Sequence, residues 1–201
     1  MNPHAFFIIG LRESGKELVA NLLSHTLGER RGATSSIIYD EVARQRGVPR
    51  WEVESLPKDE LVPELVRVGN SLCATDPSAL VAPLLRRGVR VVYGIRRRVE
   101  LAAARRAAAT QGLTPVVVWL DRGEGSNDNT EVSREDGDYV IANHGSVGHL
   151  AKLVANLAAE FRAPEPMSPS VGRECKLDEP DAGPARGDFG SSPDLDDLFG
   201  K

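Results

Sequence analysis

Ala5-Phe-Phe-Ile-Ile-Gly10-Leu-Arg-Glu-Ser-Gly15-Lys16 is the stretch on which the reading of this chain turns. Ala5 to Ile9 is a short apolar run of the kind that forms a buried parallel strand. Gly10, Gly15 and Lys16 then match G-x-x-x-x-G-K. Glycines at those places let the backbone wrap so that its N–H groups point at phosphate oxygens, and the lysine reaches the terminal phosphates. Apolar residues at 18, 19, 22, 23 and 27 have helical spacing, and Gly28 reads as the C-cap. Strand, glycine turn and helix therefore follow one another as a P-loop requires. Arg12, Glu13 and Ser14 line the same turn.

One position departs from the pattern. The residue after the lysine usually carries a hydroxyl that binds Mg²⁺. Here Glu17 and then Leu18 stand there. Asp40 and Asp121, read as ends of neighbouring strands, are the candidate metal ligands in its place.

Outward from the loop, strands alternate with helices. Ser35 to Tyr39 reads as a second strand, Asp40 to Gly47 as a short helix and Pro49 to Pro57 as a break. Lys58 to Cys73 has helical composition, with Pro63 near its first turn. Asp76-Pro77 reads as the cap and first residue of a helix to Arg87. Val89 to Ile95 is a strand, Arg97 to Gln111 a helix and Pro115 to Leu120 a strand. Asp121 to Gly137 is a polar loop, Asp138 to Ala142 a fifth strand and Ser146 to Arg162 an amphipathic helix. This alternation implies an α/β, three-layer fold with a five-stranded parallel sheet, its ligands at the carboxyl ends of the strands.

Residues 1–162 form the expected domain. Residues 163–201 hold six of the 13 prolines, and nine acidic against four basic residues. The reading is a disordered acidic Pro/Gly-rich tail. The domain is left with a net charge of +1, too little for a nucleic-acid platform. No apolar run reaches the ~18 residues that span a bilayer, and no signal peptide is evident. Cys73 and Cys175 stand in dissimilar contexts, so neither a disulfide framework nor a zinc site is expected. The expectation is a soluble cytoplasmic protein, without membrane or direct nucleic-acid partners.

Three further segments carry chemistry. Val91-Val-Tyr-Gly-Ile-Arg-Arg-Arg-Val-Glu-Leu101 places an arginine triplet at the ligand end of a strand. Arg96 and Arg97 are candidates for phosphate contact, and Glu100 for orienting them. Trp119-Leu-Asp-Arg122 opens the polar loop, where Arg122 and Arg134 are candidate lid arginines. Asp138-Tyr-Val-Ile-Ala-Asn143-His-Gly145 ends a strand, with Asn143 placed either to meet a base or to hold the turn.

With the P-loop, these pieces in this order resemble the bacteriophage deoxynucleoside monophosphate kinases, a branch of the P-loop nucleoside monophosphate kinase group. The resemblance spans about residues 5 to 160 and includes Glu131 downstream of Arg122. It implies ATP-dependent phosphorylation of deoxynucleoside monophosphates, with ATP and Mg²⁺ as cofactors, in the host cytoplasm. Lys16, Arg96 and Arg122 would be catalytic. Gly10, Arg12, Glu13, Ser14, Gly15, Lys16, Glu17 and Asn143 would bind ATP. Arg44, Arg67, Asp76, Arg97 and Glu100 would meet the acceptor, in part from the segment between Asp40 and Asp76. A monophosphate is already ionised and needs no general base, which suits abundant arginine better than a hydroxyl acceptor does.

The chain closes with Ser191-Ser-Pro-Asp-Leu-Asp-Asp-Leu-Phe-Gly-Lys201. Acids alternating with Leu195, Leu198 and Phe199 are similar to the acidic tips by which single-stranded DNA-binding proteins recruit replication partners. Residues 191–201 are therefore a candidate docking motif for a replication protein. The alternative to a working kinase is a catalytically weak nucleotide-binding adaptor acting through that tip.

Overall fold

A computed structural model describes residues 3–123 and 130–162. The tail and its tip lie outside the described residues, as do residues 124–129 of the polar loop. The elements run β1 (His4–Gly10), α1 (Lys16–Leu27), β2 (Arg30–Ala33), α2 (Thr34–Arg46), α3 (Arg50–Glu54), α4 (Lys58–Thr75), α5 (Ala82–Arg86), β3 (Val89–Tyr93), α6 (Arg98–Thr110), β4 (Thr114–Asp121), a 3₁₀ turn at Arg134–Asp136, β5 (Tyr139–Ala142) and α7 (Val147–Phe161). Among the described residues, no helix is long and apolar enough to cross a membrane.

The five strands form one sheet in the order β2-β3-β1-β4-β5, and every pair is parallel. All carboxyl ends therefore lie along one edge, with Gly10 beside Leu120 and Asp121 beside Ala142 in register. The period of two in β1 divides the core. Phe6 and Ile8 pack with Val19, Leu23, Leu150 and Val154 under α1 and α7. Phe7 and Ile9 pack with Ile37, Leu84, Leu101 and Ala104 under α2, α5 and α6. The result is a three-layer α/β fold with the glycine-rich loop at the carboxyl edge of a five-stranded parallel sheet. A third cluster of Val42, Ala43, Val53, Leu61 and Val68 joins α2, α3 and α4, giving the insert between β2 and β3 a core of its own.

Three local readings are corrected. Residues 35–39, expected as a strand, belong to α2, whose buried Thr34, Ile37, Val42 and Ala43 follow helical rather than alternating spacing. The strand precedes it. β2 is a four-residue edge strand, Arg-Arg-Gly-Ala, whose charges hide it from a search for apolar runs. Asp76 does not start a helix reaching Arg87. It ends α4, and its carboxylate accepts hydrogen bonds from the Ser78 amide and hydroxyl, both at 2.8 Å. Turns follow until the short α5, where Pro83 occupies the first helical turn. The expected break at 49–57 contains α3. Pro63 lies inside α4, one turn in.

Candidate functional site

The turn from Gly10 to Lys16 closes on itself through glycine conformations that no other residue adopts cheaply. Gly10 has φ +152°, and a Cβ there would stand 2.7 Å from the Leu120 carbonyl oxygen and 2.9 Å from Ser14 Oγ. Gly15 has φ +90°, and a Cβ there would stand 2.9 Å from Asn143 Nδ2. Glu13 also adopts a positive φ, of 60°, which a residue with a Cβ holds only when its surroundings impose it. The imposing contact is visible: Arg122 Nη1 donates to the Glu13 carbonyl at 2.6 Å. On the other side Asn143 Nδ2 donates to the Ser14 carbonyl at 2.9 Å. Asn143 is itself fixed by its amide, which donates to the Asp121 carbonyl. The loop thus hangs between the ends of β4 and β5. Arg122 and Asn143 brace it.

Lys16 folds back into the loop. Its ammonium donates to the Gly10 carbonyl at 3.0 Å, to the Leu11 carbonyl and to Ser14 Oγ at 3.4 Å. Burial, with the Arg96 guanidinium facing it, lowers the Lys16 pKa to about 8. Gly15 caps α1 without a side-chain acceptor, so the first-turn amides of the helix are left to an outside anion. An ammonium and uncapped amides at one helix start make that end favourable to an anion.

The arginine triplet divides into three roles. Among the described residues, no carboxylate pairs with Arg96, and it is the one that reaches Lys16 electrostatically. Arg97 Nη2 donates to Asn70 Oδ1 of α4 at 2.6 Å, and its Nε lies 3.8 Å from Glu100. Glu100 is buried and accepts from the Arg96 amide at 3.3 Å, so it holds this turn from beneath. Burial, with Glu100 beside it, pushes the neighbouring Cys73 thiol up to about 12. Arg98 turns away and binds Asp136 and Ser133 of the polar loop. The same loop docks on the turn through the Glu131 and Val132 amides, which donate to the Arg96 carbonyl. Arg134 lies 3.7 Å from Asp121. The second half of the expected lid is therefore latched to α6. Asp138 holds β5 in place, accepting from the Val117 amide and Arg105.

The acceptor candidates do not all converge. Arg67 lies on α4 one turn before Asn70, and no ion pair engages it among the described residues, so it shares the face that meets Arg97. Arg44 is engaged by Glu41 of its own helix at 2.6 and 2.8 Å. Asp76 caps its turn as described.

The implied Mg²⁺ fails a fit test against these residues. Asp40 is not at a strand end: it lies in α2 and is held by Arg50 at 3.0 Å and Arg87 at 3.1 Å. Asp121 does end β4, but it accepts the Gly123 amide and pairs with Arg134. Glu17 approaches Arg31 and the Tyr93 hydroxyl. Among the described residues, no group of three acidic, histidine or cysteine side chains is placed to hold a metal ion. Arg31, Tyr93 and Asn70 escaped the sequence reading. Tyr93 lay within the segment from Val91 to Leu101 but carried no assigned role, whereas Arg31 lay in the unrecognised edge strand.

No protein-family model and no curated protein matches the chain. Solved structures do resemble it. The APS kinase of Mycobacterium tuberculosis in complex with AMPPNP and APS is 17% identical, with a TM-score of 0.46 over 79% of this chain and 98% of that one. A sugar kinase from Janibacter sp. HTCC2649 is 14% identical, with a TM-score of 0.44 over 77% and 93%. The shikimate kinase of Acinetobacter baumannii in complex with shikimate is 17% identical, with a TM-score of 0.42 over 81% and 96%. At such identities none of them lends this chain a substrate.

Proposed function

We propose that the chain binds ATP in the loop from Gly10 to Lys16 and transfers its γ-phosphoryl to a deoxynucleoside monophosphate, as nucleotide supply for phage DNA replication. The observation that carries this reading is the loop itself, with Lys16 folded into the turn from Gly10 at the uncapped start of α1 and Arg96 adding to the burial that lowers the lysine's pKa. Two such cations are unfavourable together until a phosphate arrives and then stabilise it strongly. The acceptor side is supported by Arg97, which bonds Asn70 of α4, and by Arg67, one helical turn before Asn70. Each carboxylate near the site lies 3.6 to 3.8 Å from an arginine: Glu13 from Arg12, Glu17 from Arg31, Glu100 from Arg97 and Asp121 from Arg134. A hydroxyl acceptor would need one of them as a base; a monophosphate needs none.

Transfer here is a matter of placement and charge. The loop amides and Lys16 hold the donor phosphates, Arg96 faces the charge that develops between donor and acceptor, and Arg97 with Arg67 positions the acceptor. The test is ADP formation with each of the four deoxynucleoside monophosphates, using Lys16→Ala as control. Turnover with at least one monophosphate, lost in the variant, supports the reading; none with any would sink it.

One observation favours the second reading, a nucleotide-binding adaptor of weak turnover: a carboxylate, Glu17, stands where the hydroxyl would be. Under that reading residues 191–201 recruit a replication protein. A pull-down with and without those residues decides it, since equal recovery of partners removes the docking role.

A further inference from the structure

The place of the missing hydroxyl is occupied by three side chains from three elements. Glu17 stands in the first turn of α1, Tyr93 ends β3 and Arg31 comes from the edge strand β2. Arg31 Nη1 lies 3.6 Å from Glu17 Oε1 and donates to the Tyr93 hydroxyl at 3.3 Å. That hydroxyl donates to Glu17 Oε1, also at 3.3 Å. Register supports the convergence, because Arg31 pairs with Val91 and Ala33 with Tyr93. Arg31 therefore starts two residues short of the ligand edge, and its long side chain makes up the difference.

From this cluster we infer that Arg31 is a built-in cation of the nucleotide site, so that the loop takes a nucleoside triphosphate in its metal-free form. The inference rests on the nucleotide reading of the loop. Three physical points carry it. The position that would place a hydroxyl on a divalent cation holds Glu17, whose carboxylate lies beside the Arg31 guanidinium, with an aromatic hydroxyl where the strand would end in an acid. A divalent cation brought there would meet Arg31 as a like charge. The cluster is also loose enough to exchange partners: Glu17 is 72% exposed in its side chain, and its pair with Arg31 is long. A phosphate displaces such a carboxylate readily, since guanidinium binds phosphate in the same forked manner. With Lys16 and Arg96 the site then has three cations for a polyphosphate whose charge is not already neutralised by a metal.

The test is a titration of full-length protein with a fluorescent ribose-labelled ATP, in excess Mg²⁺ and again in excess EDTA, competed with unlabelled ATP. Wild-type affinity is expected to agree between the two buffers within about threefold. Arg31→Ala is expected to lose at least about tenfold in EDTA, the size of one charge-assisted phosphate contact. Glu17→Gln, which frees Arg31 of its carboxylate, is expected to bind in EDTA as tightly as wild type or more so. A thermal melt checks that each variant is folded. Wild-type binding more than tenfold tighter in Mg²⁺ overturns the inference. So does unchanged affinity of Arg31→Ala in EDTA, or a tenfold loss by Glu17→Gln in Mg²⁺ alone, which would make Glu17 a metal ligand. Absence of binding in both buffers removes the nucleotide reading itself, and the inference with it.

Discussion

Raising the pH from 7 to 9 should weaken nucleotide binding about tenfold, and the cause can be traced to one ammonium group. In the free protein Lys16 titrates near pH 8, held down by burial and by Arg96. Phosphate oxygens beside it favour the charged form and return its pKa toward the ordinary lysine value of about 10.4. Binding then takes up a proton wherever the free protein has lost one. At pH 7 free Lys16 is about nine-tenths protonated and the penalty is negligible. At pH 8 it is half protonated, so uptake is about 0.5 proton per site, and at pH 9 the affinity has fallen about tenfold, or about 1.4 kcal/mol. Stability of the free protein runs the other way. The folded pKa is the lower one, so the unfolded chain binds more protons between pH 8 and the ordinary lysine value, and stability rises with pH across that window. The assay is calorimetry at pH 8 in two buffers of different ionisation enthalpy, repeated from pH 7 to 9. Lys16→Arg, which cannot titrate there, should bind with a flat pH profile. A flat profile in the wild type, or equal heats in the two buffers, would refute the placement of a partly neutral Lys16 at the phosphates.

Three other substitutions separate bracing from contact. Asn143→Ala should weaken ATP and GTP equally, because it removes a hydrogen bond to the Ser14 carbonyl of roughly 1 kcal/mol; a change confined to one base would place Asn143 at the base instead. Gly15→Ala forces a Cβ onto Asn143 Nδ2 at positive φ, and strain of about 1–3 kcal/mol should lower the melting temperature and the nucleotide affinity together. Arg98→Ala should speed amide exchange in residues 130–137 by releasing Ser133 and Asp136, while ATP affinity stays within about twofold; unchanged exchange would mean that the latch holds nothing.

The sheet was legible because its strands are buried on both faces and read as apolar runs: Phe6 to Ile9, Val89 to Val92 and Val116 to Leu120 needed nothing beyond hydrophobic pattern. β2 was not, since an edge strand needs little apolar area and Arg30 and Arg31 are exposed. The error propagated: once residues 35–39 were read as a strand, Asp40 acquired a place at the sheet edge that it does not have. The loop itself was legible because only glycine fits Gly10 and Gly15. Its bracing was not. Arg122 and Asn143 are more than 100 positions away, and nothing local says that a side chain near residue 122 or 143 will bond a carbonyl at 13 or 14. The arginine triplet was recognised as a unit, but its division among phosphate, α4 and the polar loop depends on partners that only the fold brings near.

The central claim, that Gly10 to Lys16 is a nucleoside triphosphate site, is met most directly by equilibrium binding of ATP to the full-length protein and to Lys16→Ala. Saturable binding at one site per chain is expected, weakened at least about tenfold in the variant, as loss of a charged phosphate contact requires. Equal affinity in the two proteins, or no saturable binding to the wild type, would contradict it.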